Sequence, residues 1–146
     1  MSEAVQRRNR QKARKAALQA VYGMDLENDW DTPRYMQSLQ AQDPPLPVEA
    51  VEFALRLYQT MQGHRAELDQ WIDTTNPQWS LDRLGILERN ILRLTGAELA
   101  WMDTPRLVCI AEGVRLAEMF TGEDAVRMIH AALDHMPLAA GPHSAP

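Results

Sequence analysis

The sequence contains little cysteine, few aromatic residues and no long apolar run. Of its 146 residues one is cysteine, and 6% are Phe, Trp or Tyr. A lone Cys109 excludes an internal disulfide, and its place in the run LVCIA predicts a small buried side chain. No apolar run approaches the roughly 18 residues that span a bilayer, and the charged N-terminus lacks the apolar core of a secretory signal. These absences favour a cytoplasmic protein.

The motifs of common catalytic and metal sites are also missing. There is no glycine-rich phosphate loop, no Gly-x-Ser-x-Gly and no cysteine pair. His130 and His135 are five residues apart, which turns them to different sides of a helix, and His143 lies in a Pro/Ala/Gly-rich end. We therefore expect no enzyme, no metal site and no cofactor.

Helical periodicity is the dominant pattern. No window alternates with period two over five residues, so no strand is predicted. A first helix is predicted from about residue 4 to 27, with Ala13, Ala17 and Ala20 on one face. Thr32 and Pro33 are typical of an N-cap and first helical position, and a short helix to about residue 42 follows.

Further helices follow along the rest of the chain. The spacing predicts helices over 48–63 and 64–75, then one capped by Ser80 that runs through the apolar stripe to about residue 102. The run LVCIAEGVRLAEMF predicts a largely buried central helix, and Gly122 separates it from the last one. The sequence thus predicts an all-α helical bundle of about seven helices, in a single domain over residues 4–136 with a disordered tail over 137–146.

The charge is distributed unevenly along the chain. The net charge is −5, yet residues 1–15 carry six cations against one carboxylate, a local charge of +5. These cations form a basic N-terminal arm: Arg7, Arg8, Arg10, Lys12, Arg14 and Lys15. In a continuous helix three of the arginines, at i, i+3 and i+7, share one side, and guanidinium groups suit RNA phosphates. The alternatives are a solvated helix end and an arm that folds only on RNA.

Two glutamates border the apolar stripe of the helix that follows Ser80. Glu88 and Glu98 each lie beside apolar positions at helical spacing. One interpretation is an edge position whose carboxylate reaches water or a neighbouring arginine. The other is a partner surface on which Glu88 is a charged contact. Spacing by itself favours the edge position, because burying an unpaired charge is costly.

Three stretches together resemble one known family. These stretches are RRNRQKARKAALQAVY, WSLDRLGILERNILRLTGAEL and TPRLVCIAEGVRLAEMF. They are similar to segments of the NusB family of bacterial transcription antitermination proteins. The resemblance implies an all-helical fold of two three-helix sub-bundles that share a long helix. It further implies pairing with the ribosomal protein NusE, binding of boxA RNA in nascent ribosomal RNA transcripts, and assembly on RNA polymerase, without catalysis.

The resemblance also assigns roles to particular residues. The basic arm would face RNA, and a second RNA-facing patch would contain Phe120, Asp124, Arg127 and Met128. Tyr22 and Glu88 would face NusE, with Asp82 nearby. For Glu88, the resemblance favours the partner surface over the edge position.

The chain departs from the family pattern at several positions. Glu118 stands where the family has a lysine, and residues 128–131 replace an expected Phe-Val-Asn-Gly. Ala111-Glu112-Gly113 also replaces the usual Asn-Glu-Ala. Because one aromatic stack on a base is worth about 1–3 kcal/mol, these changes suggest a rival: a NusB-like scaffold that has lost boxA recognition. A module of an RNA-modifying enzyme and a homodimer that hides the arms are further alternatives.

Overall fold

The chain folds into seven α-helices over the residues that the structure describes. The computed structural model describes residues 1–75 and 79–137, and this part of the chain contains no strand. The helices are α1 Glu3–Glu27, α2 Thr32–Gln40, α3 Val48–Gly63, α4 Arg65–Thr75, α5 Ile86–Trp101, α6 Arg106–Phe120 and α7 Glu123–Asp134. The predicted all-α fold is confirmed here. The predicted tail lies outside the described residues except for Pro137.

The chain divides into two compact units, Met1–Gln59 and Thr60–Pro146, and the boundary falls inside α3. The first unit contains α1, α2 and most of α3, and the second contains the end of α3 followed by α4 to α7. One domain over residues 4–136 therefore stays a prediction.

Small apolar side chains line the buried face of α1. The Ser2 side chain caps the helix by accepting a hydrogen bond from the Val5 amide at 3.1 Å. The predicted face is present, because Ala13, Ala17 and Ala20 are all buried. The helix ends where Asn28, with a φ of 53°, enters the left-handed region that asparagine tolerates.

A pair of buried tyrosines joins α2 to α3 in the first unit. The rings of Tyr35 and Tyr58 stack with centroids 4.0 Å apart. Tyr35 donates a hydrogen bond to the Ala54 carbonyl at 2.6 Å, and Tyr58 donates one to the Trp30 carbonyl at 2.5 Å. Burial raises the pKa of Tyr35 above the ordinary value of tyrosine. The pair thus buries aromatic area while each hydroxyl keeps a partner.

In the second unit the central helix is α5. Every residue from Asn90 to Ala100 is buried, and α5 packs against α4, α6 and α7. The prediction that α6 is largely buried is wrong, because Leu107 is 82% exposed and Val108 and Met119 are also exposed. The apolar pattern of α6 extends around more of its circumference than its neighbours cover.

Polar groups buried in α5 are paired within the second unit. The Arg93 guanidinium donates two hydrogen bonds to the Asp69 carboxylate, at 2.7 and 3.1 Å. The Glu98 carboxylate accepts a hydrogen bond from the Thr104 hydroxyl at 2.6 Å. Glu98 is 2% exposed, so the expectation that its carboxylate reaches water is wrong. Pairing of this kind lowers the cost of placing a charged group in a core.

Two predicted helix starts are displaced. Ser80 does not cap α5. Its carbonyl accepts hydrogen bonds from the amides of Arg83 and Leu84 in a turn, and α5 begins at Ile86. Thr32 is already inside α2, whose N-cap is Asp31. Residue types that cap helices are also common in turns, because their side-chain oxygen can accept a backbone hydrogen bond in either setting.

Gly113 lets α6 approach its neighbours closely. A Cβ at this position would lie 2.6 Å from Thr95 Cγ2 and 3.0 Å from Leu133 Cδ1. Contacts this short require α5 or α7 to move, and overpacking of a core is destabilising.

We expect Gly113→Ala to lower the free energy of unfolding by about 1–3 kcal/mol, measured by urea denaturation. Gly63→Ala is the control, because a Cβ there meets no atom within 4 Å. The control should be neutral or slightly stabilising, since alanine favours helices more than glycine does. Equal stability of the two variants would contradict the close packing of α6.

Candidate functional site

The basic arm is the first part of helix α1. The helix begins at Glu3 and continues without interruption to Glu27, so all six cations of the arm are helical. The helical repeat therefore fixes which of them share a face. In this structure the arm is an integral part of the first unit.

The cations of the arm differ in exposure. Arg7, Arg8, Lys12 and Lys15 are exposed, and Arg10 is half-buried. Arg14 is 5% exposed. Along the face that carries Arg7, Arg10 and Arg14, burial thus increases with each turn away from the N-terminus.

A buried phenyl ring holds the inner arginines. The guanidinium carbon of Arg10 lies 4.9 Å from the ring centroid of Phe53 on α3, and that of Arg14 lies 5.2 Å from it. A third guanidinium, from Arg56 on α3, lies 5.6 Å from the same centroid. Such cation–π contacts are worth about 0.5–2 kcal/mol each, more when desolvated.

Arg14 therefore differs from the RNA-facing group that the sequence suggested. Its guanidinium packs over Phe53 in the interior, so it is not presented at the surface as Arg7 and Arg8 are. Contact of Arg14 with RNA stays a prediction, and the geometry favours a packing role. Neither Phe53 nor Arg56 was among the predicted site residues. Their spacing of i and i+3 gives no sign that α1 would meet them.

Tyr22 shares an exposed face of α1 with two of the cations. Arg8, Lys15 and Tyr22 follow one another at seven-residue intervals, which returns each to nearly the same side of the helix. Tyr22 is 39% exposed. The residue predicted to face a protein partner and two residues predicted to face RNA thus lie along one stripe.

In the second unit a groove brings together three predicted site residues from α5 and α7. Its volume is about 520 Å³, and Glu88, Asp124 and Met128 are among the residues that line it. The remaining lining residues are Trp79, Leu84, Gly85, Gly122, Glu123 and Ala125. The groove is acidic, because the described residues that line it include three carboxylates and no cation.

Glu88 is positioned by the start of α5. It belongs to the first turn of the helix, and its carboxylate folds back over Gly85, the N-cap. A Cβ at position 85 would collide with that carboxylate. Carboxylates are favoured at this end of a helix, where the amide dipoles present partial positive charge. Glu88 thus stays half-buried at the edge of the groove.

The residues that line the groove do not include the other two members of the predicted second RNA-facing patch, Arg127 and Phe120. Arg127 forms an ion pair with Asp124. Arg127 also lines a neighbouring pocket of about 380 Å³ that contains Glu118 and Glu123. Phe120 is the last residue of α6 and is half-buried. The cation of this patch is therefore surrounded by carboxylates, which lowers the positive potential that it offers to a phosphate.

Asp82 lies outside the residues that line the groove. It is exposed, in the turn that precedes α5. The three residues predicted to face a protein partner fall in both units, with Tyr22 in the first and Asp82 and Glu88 in the second.

An apolar pocket adjoins the groove in the second unit. Its volume is about 260 Å³, and it shares Trp79 and Met128 with the groove. The deeper lining comes from side chains that include Trp71, Ile72 and Leu92. The sequence gives no sign of this pocket, since its lining comes from α4, α5, α7 and, for Trp79, the segment before α5.

The described residues contain no group of three or more His, Cys, Asp or Glu side chains that could hold a metal ion. His130 and His135 have separate neighbours: His130 Nε2 lies 3.6 Å from Asp134 Oδ2, and His135 Nδ1 lies 2.8 Å from the Ala131 carbonyl oxygen. Within residues 1–75 and 79–137, no helix has the length and apolarity that a membrane span requires.

Comparison with known proteins gives consistent matches along most of the chain. The NusB family model matches residues 11–137. Transcription antitermination protein NusB of Myxococcus xanthus (strain DK1622) is 34% identical over 140 residues, which cover 89% of this chain and 95% of that protein.

Two solved structures are similar to this fold. T. maritima NusB has a TM-score of 0.76 at 27% identity, covering 87% of this chain and 89% of that chain. A crystal structure of antitermination factors NusB and NusE in complex with dsRNA has a TM-score of 0.76 at 28% identity, covering 88% of this chain and 96% of that chain.

Different burial of Arg14 and Lys15 predicts different effects on stability. We expect Arg14→Ala to lower the free energy of unfolding by about 1–3 kcal/mol, because it removes buried packing against Phe53. Lys15→Ala should change it by less than about 0.5 kcal/mol, since Lys15 is exposed. Thermal and urea denaturation of both variants provide the measurement. Equal effects would contradict the inward position of Arg14.

Proposed function

Because the chain belongs to the NusB family, we propose that it is an RNA-binding transcription antitermination factor. It pairs with NusE and binds the boxA element of nascent ribosomal RNA transcripts. The observation that carries the proposal is the helical arm of α1, which presents exposed cations on a chain whose net charge is −5. The similar solved complex, which contains NusB, NusE and dsRNA, supports both partners.

The exposed face of α1 provides the contacts to RNA. Arg7, Arg8, Lys12 and Lys15 form phosphate contacts, so affinity falls as salt rises. Selectivity for boxA requires contacts to bases of a single strand, which proteins make by stacking and by hydrogen bonds to base edges. Among the residues predicted to face RNA, the half-buried Phe120 is the aromatic one that could stack on a base.

The acidic groove of the second unit provides the contact to NusE. Glu88 and Glu123 present negative charge there, which is complementary to a basic ribosomal protein. Asp82 of the same unit and Tyr22 of the first unit are further candidate contacts to NusE. The chain thus meets an anionic and a cationic partner through oppositely charged surfaces.

Antitermination by such a protein is an assembly process and requires no bond to be made or broken in the chain. The protein, NusE and RNA join RNA polymerase, which then resists termination in ribosomal RNA transcription. We propose that the chain acts in the cytoplasm, where bacterial RNA is made, with no catalytic role and no cofactor.

A second candidate is a NusB-like scaffold that binds the protein partner without selecting boxA. The exposed Glu118 and the ion pair between Arg127 and Asp124 favour it, because both weaken the positive potential beside Phe120. In this candidate the arm attracts RNA through charge alone.

Fluorescence anisotropy with labelled boxA RNA and a scrambled control separates the two candidates. Each RNA is titrated with the full chain, with and without NusE, at two salt concentrations. We expect boxA to bind more tightly than the scrambled RNA and NusE to tighten boxA binding further, since the joint surface contacts bases. Equal affinities that fall together with salt would favour the scaffold. An absence of RNA binding under all conditions would contradict both roles of the arm.

Charge reversal at Glu88 tests the partner surface. We expect Glu88→Lys to weaken NusE binding about tenfold or more, because it places a cation against a basic partner. Calorimetric titration measures the affinity, and circular dichroism checks the fold. Asp103→Lys carries the same change of charge at an exposed position outside the groove. Equal losses in both variants would assign the effect to net charge and contradict a specific role of Glu88.

A further inference from the structure

We propose that the RNA-binding surface extends beyond the arm to Arg56 of α3, which the buried ring of Phe53 holds beside Arg10. This proposal rests on the proposed function, because it names further residues of the same RNA site. RNA phosphates would then meet cations from two helices.

The geometry that carries the proposal lies within the first unit. The guanidinium carbons of Arg10, Arg14 and Arg56 lie 4.9, 5.2 and 5.6 Å from one phenyl centroid. Phe53 is 3% exposed, Arg14 is 5% exposed, and Arg56 is exposed. The ring and Arg14 thus form the inner layer, while Arg56 and the half-buried Arg10 form the outer one.

Distance makes these cations part of one charged surface. Since each guanidinium lies within 5.6 Å of the same centroid, any two are at most about 11 Å apart, which is close to the Debye length of about 8–10 Å at physiological salt. Arg7 lies one turn before Arg10 on the same face of α1 and is exposed. A phosphate backbone that follows this face of α1 would therefore pass Arg7 and Arg10, and Arg56 lies within about 11 Å of Arg10.

The Phe53 ring also explains why arginine suits the positions around it. A guanidinium is planar and weakly hydrated, so it stacks on an aromatic ring and still directs its N–H groups to phosphate oxygens. A side chain held in this way loses less conformational freedom when RNA binds. We assign Phe53 as a positioning residue and Arg56 as an RNA-binding residue.

Salt-dependent anisotropy of the full chain on labelled boxA RNA tests Arg56. We expect Arg56→Gln to weaken binding about threefold to tenfold at low salt and to reduce the slope of log affinity against log salt by about 1. Arg34→Gln is the matched control. It removes the same charge from the same unit, at a position on α2 that is not one of the three guanidinium groups over Phe53. It should leave affinity and slope unchanged.

Two substitutions of Phe53 test whether its ring positions the arginines for RNA. Phe53→Leu keeps an apolar side chain but removes the aromatic face, and it should weaken binding of boxA and scrambled RNA by the same factor. Phe53→Tyr keeps the face and should restore affinity, which general damage to the fold would not allow. NusE binding without RNA should be unchanged in both. If Phe53→Leu does not fold, the comparison of Arg56→Gln with Arg34→Gln decides.

The possible failures are distinguishable. If the wild-type chain binds no RNA at any salt concentration, the proposed function fails and this proposal fails with it. If the wild type binds RNA but Arg56→Gln keeps its affinity and slope, this proposal alone is overturned. Equal losses in Arg56→Gln and Arg34→Gln would also overturn it alone, since net charge would then explain the result.

Discussion

A charged side chain is buried at low cost only when a partner group pairs with it, and this requirement shapes the second unit. Arg93 and Glu98 are buried residues of α5. Arg93 donates a hydrogen bond to Asp69, and Glu98 accepts one from Thr104. With these groups satisfied, α5 is buried from residue 90 to 100, and α4, α6 and α7 pack around it. The start of the helix lies outside this buried stretch. Glu88 is therefore left at the edge of a groove, where a partner can reach its carboxylate.

The same requirement orders the basic arm. A guanidinium enters the interior of the first unit at Arg14 because Phe53 offers it an aromatic face. One turn earlier Arg10 is only half-buried, and Arg7 is exposed. The arm is therefore the outer end of a packed helix, which sets the faces on which its exposed cations lie.

The two units carry opposite local charge at their candidate surfaces. The first presents the cations of α1 and α3, and the second presents an acidic groove between α5 and α7. An acidic chain with a basic arm thus offers cations to a polyanion and carboxylates to a basic protein. The residues that resemble family positions fall on both surfaces. Within the second unit, Asp124 and Met128 share the groove with Glu88, so the residues assigned to RNA and to the partner protein are neighbours there.

Helix positions depend on residues that are close together along the chain, so they could be predicted from the sequence. Helical spacing and the prolines before Val48 predicted α3 with its observed bounds, and α1 and α7 closely, because caps and periodicity are local. Only the tertiary structure decided that α5 rather than α6 is central, that Glu98 is buried, and that Phe53 gathers arginines from two helices. An apolar stripe indicates that a helix face can be buried. The fraction of that face that is buried depends on how many helices pack against it. Likewise, a charge pattern gives the sign of a surface, whereas partners distant in sequence determine which charges reach solvent.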